Sequence, residues 1–339
     1  MAQTTQVSQT RTAVPTARPQ TRPAADGLDV SRAGKAVVDE VAKVIVGKKR
    51  VLEDVLMSIL ADGHVLFEDF PGLAKTLTAN TFAQASGCIF KRIQFTPDLL
   101  PSDITGSYVY DKEKGTFVFH PGPIFTNILL ADEINRAPPK VQSALLEAMQ
   151  EKQVTIEGVT HKLPRPFIVL ATQNPIEQEG TYPLPEAQLD RFLMRISVGY
   201  PSRTEEAEVV NRRLARGKDE ADVLKVIDPE RILSAQRSLE GVRVEPAIVQ
   251  YAVELVARTR EDERVQVGSS PRGSLALIKL ARAHAALRGR GFVTPDDVKA
   301  IASQVLNHRL ILRPEPRIKG VTGHDVIQGL LGSTKAPVT

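Results

Sequence analysis

A chain of 339 residues, 42% hydrophobic and 25% charged, can bury a real core and suits two domains better than one. The single cysteine, Cys88, excludes an internal disulfide, and six scattered histidines offer no zinc-ligand spacing, so any metal must be held by oxygen. The net charge of +4 is dispersed among acids rather than massed on one segment, which reads as solvated surface and disfavours nucleic acid as a partner. No apolar stretch approaches the roughly 18 residues of a membrane span, and no apolar signal core opens the chain, so the expected compartment is the cytoplasm.

Residues 1–27 are rich in Thr, Gln, Pro, Ala and Arg and lack apolar periodicity, which predicts a disordered tail. Arg and Thr with few acids also suit a transit peptide, but Pro15, Pro19 and Pro23 oppose the amphipathic helix it would need. Over residues 30–62, Val37, Val41, Val44, Val51, Val55, Leu56 and Leu60 recur at helical spacing around a break at Val46-Gly47, predicting two helices. The apolar run 64–68 meets Pro71-Gly72 and gives way to a helical pattern over 75–86. Residues 107–110 and 116–119 alternate with period two around a turn at 111–115, and 154–156 and 159–162 flank Glu157-Gly158, predicting two β-hairpins. Apolar strands at 128–131 and 167–172, separated by a helix over 139–151, predict a parallel sheet covered by helices. Beyond Pro201 the pattern turns to amphipathic helices, with Asp228, Ser270 and Thr294 each capping a helix that opens on proline.

The order strand, loop, helix is the one a phosphate site requires. The loop from Glu68 to Thr76 resembles a Walker A motif, in which backbone N–H groups cradle phosphates, Lys75 meets the β and γ phosphates and Thr76 holds Mg²⁺. It departs from the strict pattern at Asp69 and Ala74, which stand where glycines are usual. The strand 128–131 ends in Asp132 and Glu133, the form of a Walker B motif, because paired acids at a buried strand end are costly unless a cation or water uses them. Asp132 would hold the metal shell and Glu133 would polarise the attacking water. Asn174, after the next strand, resembles sensor 1. Arg191 is a candidate arginine finger for a neighbouring subunit's γ phosphate, with Arg136 next in line. Arg272, near the start of a helix capped by Ser270, resembles sensor 2, reaching from the lid to the same phosphates.

The segments PGLAKT, LLADEINR, ATQNP and PEAQLDRF together resemble the MoxR family of AAA+ ATPases, relatives of the magnesium-chelatase ATPase subunit, over about residues 30–331. The resemblance implies a P-loop α/β core over 28–201, a smaller all-helical lid over 202–332 and a short tail over 333–339. Hairpins near 107–119 and 154–162 would be the clade's helix-2 and pre-sensor 1 inserts. It further implies ATP bound by Pro71, Gly72, Leu73, Ala74, Lys75, Thr76 and Leu77, and Mg²⁺ on Thr76 and Asp132. Glu133, Asn174, Arg191 and Arg272 would serve hydrolysis. A self-assembled ring, as a hexamer, would act on client proteins, some with a von Willebrand factor A domain. Two rival readings stand beside this one. A nucleic-acid motor of the same clade would need a basic hairpin, whereas Lys112 and Lys114 are offset by Asp111 and Glu113. A non-catalytic scaffold is opposed by the intact Glu133, Asn174 and Arg191.

Overall fold

The computed structural model describes residues 29–175, 180–219 and 221–337, so the tail expected over residues 1–27 lies outside the described residues. The two predicted leading helices are α1 (Val30–Ala42) and α2 (Lys49–Leu60). The Asp29 carboxylate caps α1 by accepting from the Arg32 backbone N–H at 3.0 Å. Then come β1 (Val65–Glu68), α3 (Lys75–Ala85), β2 (Phe90–Gln94) and a short α4 (Pro101–Thr105). The strands β3 (Gly106–Asp111) and β4 (Thr116–Pro121) pair antiparallel as the first predicted hairpin. After β5 (Ile128–Asp132) and α5 (Pro139–Glu151), β6 (Gln153–Ile156) and β7 (Val159–Lys162) form the second. Next in the chain are β8 (Ile168–Gln173), the four-residue α6 (Glu186–Leu189) and β9 (Met194–Ile196).

Five strands make one sheet in the order β2-β5-β8-β1-β9, every pair parallel. Successive residues of a strand face opposite sides. Accordingly Val65, Phe67, Ile128, Leu130, Ile168 and Leu170 pack into one core, and Leu66, Leu129, Ala131, Val169 and Ala171 into another. Both faces are covered, which is why β5 and β8 read as unbroken apolar runs. Sequence periodicity missed β2 because it is a half-exposed edge strand of mixed polarity, and β9 because it has only three residues.

Helices dominate the rest: α7 (Arg203–Arg216), α8 (Pro229–Ser238), α9 (Pro246–Glu261), α10 (Pro271–Leu287), α11 (Pro295–Leu306), α12 (Pro314–Ile318) and α13 (Gly323–Ser333). Two of the three expected side-chain caps are in place, while Thr294 stands at the N-cap of α11 with its hydroxyl turned to donate to Asp297. Asp228 accepts from Arg231 N–H at 2.8 Å and Ser270 from Arg272 N–H at 3.2 Å, with proline at each first helical position. One feature departs from an all-helical lid. The strands β10 (Val265–Val267) and β11 (Ile311–Leu312) form a small antiparallel ribbon, and residues so far apart in sequence leave no hairpin signal to read. The core that covers one face of the sheet runs on without a break into α9, α10 and α11.

Asp297, fully buried on α11, ties this helical part together. Its carboxylate accepts from Thr294 N–H at 2.7 Å and Thr294 Oγ1–H at 2.9 Å, from Arg290 Nη1 at 2.8 Å, and faces His284 Nδ1. Burial alone would push its pKa up, but hydrogen bonds from His284, Arg290 and Thr294 outweigh that and hold it far below the usual carboxylate range. A depressed folded pKa adds stability above the unfolded value of about 4 and loses it as pH falls below that. Asp297→Asn should therefore cost about 2–4 kcal/mol at pH 7, discounted because Arg290 is partly solvated. In urea denaturation the gap from wild type should narrow only below about pH 4.

Candidate functional site

The carboxyl ends of β1, β5 and β8 lie side by side, and ligands of open parallel sheets bind beyond such ends. The loop after β1 turns through Gly72 at φ +79° and Ala74 at φ +55° before α3 begins at Lys75. Ala74 thus holds a left-handed conformation that glycine adopts freely, which explains why glycine is usual there. Asp69 has a different explanation. Its buried carboxylate accepts from Gly199 N–H at 2.8 Å, Ser197 Oγ–H at 3.1 Å and Val198 N–H, so it staples the loop to the segment after β9. Phe70 adds a stacked contact on Tyr200, with ring centroids 5.6 Å apart.

Lys75 Nζ donates to the carbonyls of Asp69 at 2.9 Å and Phe70 at 3.0 Å. Partial burial lowers its pKa, while Asp69, Asp132 and Glu133 pull it back up. At the end of β5, Asp132 Oδ1 accepts from Thr172 Oγ1–H at 2.6 Å and Oδ2 accepts from Arg92 Nη2 at 2.7 Å. Glu133 sits at φ +56°, a left-handed value that is costly for a residue other than glycine, with its N–H donating to Thr172 Oγ1 at 2.8 Å. Its carboxylate accepts from Arg136 Nη1 at 2.9 Å. Thr172 therefore holds both acids in register from the neighbouring strand.

A concavity of about 410 Å³ gathers the loop from Pro71 through Leu77 with Asp69, Arg92, Asp132, Glu133, Thr172 and Asn174. The Thr76 hydroxyl and Asp132 carboxylate bordering it are hard oxygen donors, the set Mg²⁺ takes when phosphates complete its shell. The N–H groups at the start of α3 open onto the same space, as a phosphate cradle requires. Sequence reasoning assigned no role to Arg92 or Thr172. Arg92 carried no signal because β2 itself went unread, and Thr172 lay in plain view beside Asn174.

Arg191 and Arg272 do not border this concavity. They meet each other across a second one, of about 330 Å³, with Asp190, Lys279 and Arg309. Asp190 organises it: Oδ1 accepts from Arg309 Nε at 2.7 Å, Oδ2 from Ser270 Oγ–H at 3.0 Å, and Arg272 Nη1 stands 3.8 Å away. The cap of α10 thus holds Arg272 beside Arg191 rather than over its own chain's loop. Arg191 Nε is buried without a hydrogen-bond partner among the described residues.

Residues 64–194 match the family model described as "ATPase family associated with various cellular activities (AAA)", and residues 257–330 match an AAA lid domain. The uncharacterized protein YeaC of Bacillus subtilis is 48% identical over 90% of this chain and 95% of its own length. Chaperone MoxR1 of Mycobacterium tuberculosis is 46% identical over 88% of this chain and 81% of its own length. A crystal structure of a candidate ATPase from Cytophaga hutchinsonii superposes with a TM-score of 0.85 at 44% identity, covering 91% of this chain and 96% of that one. Magnesium-chelatase subunits are among the further relatives. A parallel sheet flanked by helices, a helical lid and these relatives agree: the chain belongs to the MoxR family of AAA+ ATPases.

Proposed function

We propose that this chain hydrolyses ATP with Mg²⁺ at the concavity after β1 and uses the cycle to remodel or activate partner proteins. The observation that carries the reading is the convergence of loop, Lys75, Thr76, Asp132, Glu133 and Asn174 on one space beyond the sheet's carboxyl edge. Lys75, now satisfied by two loop carbonyls, would turn its ammonium to the β and γ phosphates. When bound, Mg²⁺ would neutralise charge between those phosphates, with Thr76 and Asp132 holding it. Glu133 would polarise the attacking water and Asn174 would orient it. Their contribution is positioning and charge, which is most of what phosphoryl transfer asks of a protein.

Arg191 and Arg272 share a groove apart from their own loop, which supports a shared role toward a neighbouring subunit's nucleotide. That role requires a head-to-tail assembly, such as the hexameric ring the family resemblance implies. It also moves Arg272 from the expected reach over its own phosphates to a reach across an interface. Residues 28–201 would then form the nucleotide-binding unit and 202–332 the lid that carries Arg272.

The name chaperone carried by MoxR1 supports a protein client. Val109, Tyr110 and Phe117 stand exposed on the first hairpin, an apolar tip suited to polypeptide. Lys114 is paired with Asp111 at 3.3 Å in its turn, so the tip offers little net charge to a nucleic-acid backbone. The client, on this reading, is a cytoplasmic protein, with von Willebrand factor A domains as the first class to test.

Lys75→Ala should weaken binding of a fluorescent ATP analogue by about 100-fold, since it removes a charge-assisted contact to phosphate. Wild-type affinity in that variant would count against the loop. Glu133→Gln should bind the analogue normally yet release phosphate about 10²–10⁴-fold more slowly, the usual range for losing a general base.

Arg191→Ala should likewise bind and fail to turn over. Mixed with Glu133→Gln under conditions of subunit exchange, it should recover part of the activity, because some interfaces then unite an intact Glu133 with an intact Arg191. Two variants that remain inactive when mixed would rule out action across the interface.

A further inference from the structure

We propose that Arg92 is a positioning residue that keeps the Asp132 carboxylate closed to a bare metal ion, so that the divalent cation enters with the nucleotide rather than ahead of it. The inference rests on the nucleotide site proposed above and adds a residue to it. Arg92 lies on the edge strand β2, in register with Leu130 of β5, and projects beside the end of that strand. It spends two donors on a single oxygen, Nη2 at 2.7 Å and Nε at 3.1 Å from Asp132 Oδ2. The other oxygen, Oδ1, is engaged by the Thr172 hydroxyl at 2.6 Å. Both oxygens of the carboxylate are thus committed, and a guanidinium supplies the positive charge at the place a cation would take.

Three features make this a latch rather than a permanent bond. Arg92 is 48% exposed, and an ion pair in that setting is weakly held. Gln94, two residues along the same strand, accepts from Nη2 at 2.8 Å, so the guanidinium keeps a partner as it leaves Asp132. Arg92 also lines the concavity that holds Thr76, so a bound phosphate would offer it a fork-shaped acceptor in exchange for the carboxylate. A cation arriving alone offers nothing in exchange, and would have to sit beside Arg92 and Lys75 without phosphate oxygens between them. Mg²⁺ depends on phosphate to complete its shell when protein ligands are few.

The test is titration of the full chain with Mn²⁺, read by electron paramagnetic resonance, with and without ADP. Without nucleotide, Arg92→Gln should bind one Mn²⁺ roughly two- to fivefold more tightly than wild type, the range set by loss of an exposed ion pair. Arg92→Met should do the same, which guards against a ligand created by the glutamine. The gain should vanish in the Arg92→Gln, Asp132→Asn double variant, and saturating ADP should shrink the difference between wild type and Arg92→Gln. Equal Mn²⁺ affinity of wild type and both single variants without nucleotide, or a gain that survives Asp132→Asn, would overturn the proposal while leaving the nucleotide site standing. Failure of a fluorescent ADP to bind wild type in the same samples would strike the nucleotide site itself, and the role of Arg92 with it.

Discussion

Two adjacent carboxylates, Asp132 and Glu133, stand at the end of a strand whose preceding residues are almost wholly buried. Negative charge at the edge of such a core is costly unless donors and cations surround it. Much of the local architecture answers that demand. Thr172 of β8 donates to Asp132 and accepts from the Glu133 backbone, while Arg92 of β2 reaches in from the other flank. Both strands are direct neighbours of β5, so the order of the sheet is what brings these groups within reach. Glu133 takes a left-handed backbone, and its carboxylate turns back to Arg136. Glu133 is thus an acid on a strained backbone, paired with a cation three residues along the chain.

A buried acid, Asp69, governs the loop on the far side of β8. Asp69 could not serve as a glycine does in a phosphate loop, and it does not. It accepts hydrogen bonds from the segment 197–199 and so fixes where the loop leaves the sheet. The sheet edge at β9 thereby becomes part of the site's support, although no residue of β9 borders the concavity. Ala74 takes a left-handed backbone at the point where α3 starts with Lys75.

The helical lid is bound to the core through Asp190 and its neighbours. Arg309, nearly inaccessible, donates to Asp190 and to the carbonyl of Phe192, and His308 Nε2 lies 3.0 Å from that same carbonyl. Burial holds the His308 pKa far below its ordinary value, so this contact is made by a neutral ring. The consequence is geometric. A core residue, Arg191, and a lid residue, Arg272, border one groove, Arg272 being placed there by Asp190, the chain neighbour of Arg191, and whatever that groove meets is met by both.

Elements with strong local signals were legible in the sequence by itself. The two leading helices, both hairpins, β1, β5, β8 and the capped lid helices follow from periodicity, turn residues and cap chemistry, all of which act over a few neighbouring positions. The acids after β5 and the Lys75-Thr76 pair were visible for the same reason, since their chemistry is written in adjacent residues. What only the tertiary structure decided involves partners far apart in the chain. Arg92 finds Asp132 forty positions away, Asp69 finds Gly199 across 130, and Arg272 is held by Asp190. The β10–β11 ribbon, with its strands in separate parts of the lid, belongs to the same class. A sequence displays the charge of each such residue, but which charges face one another depends on strand order and helix packing, and these arise only when the chain closes on its core.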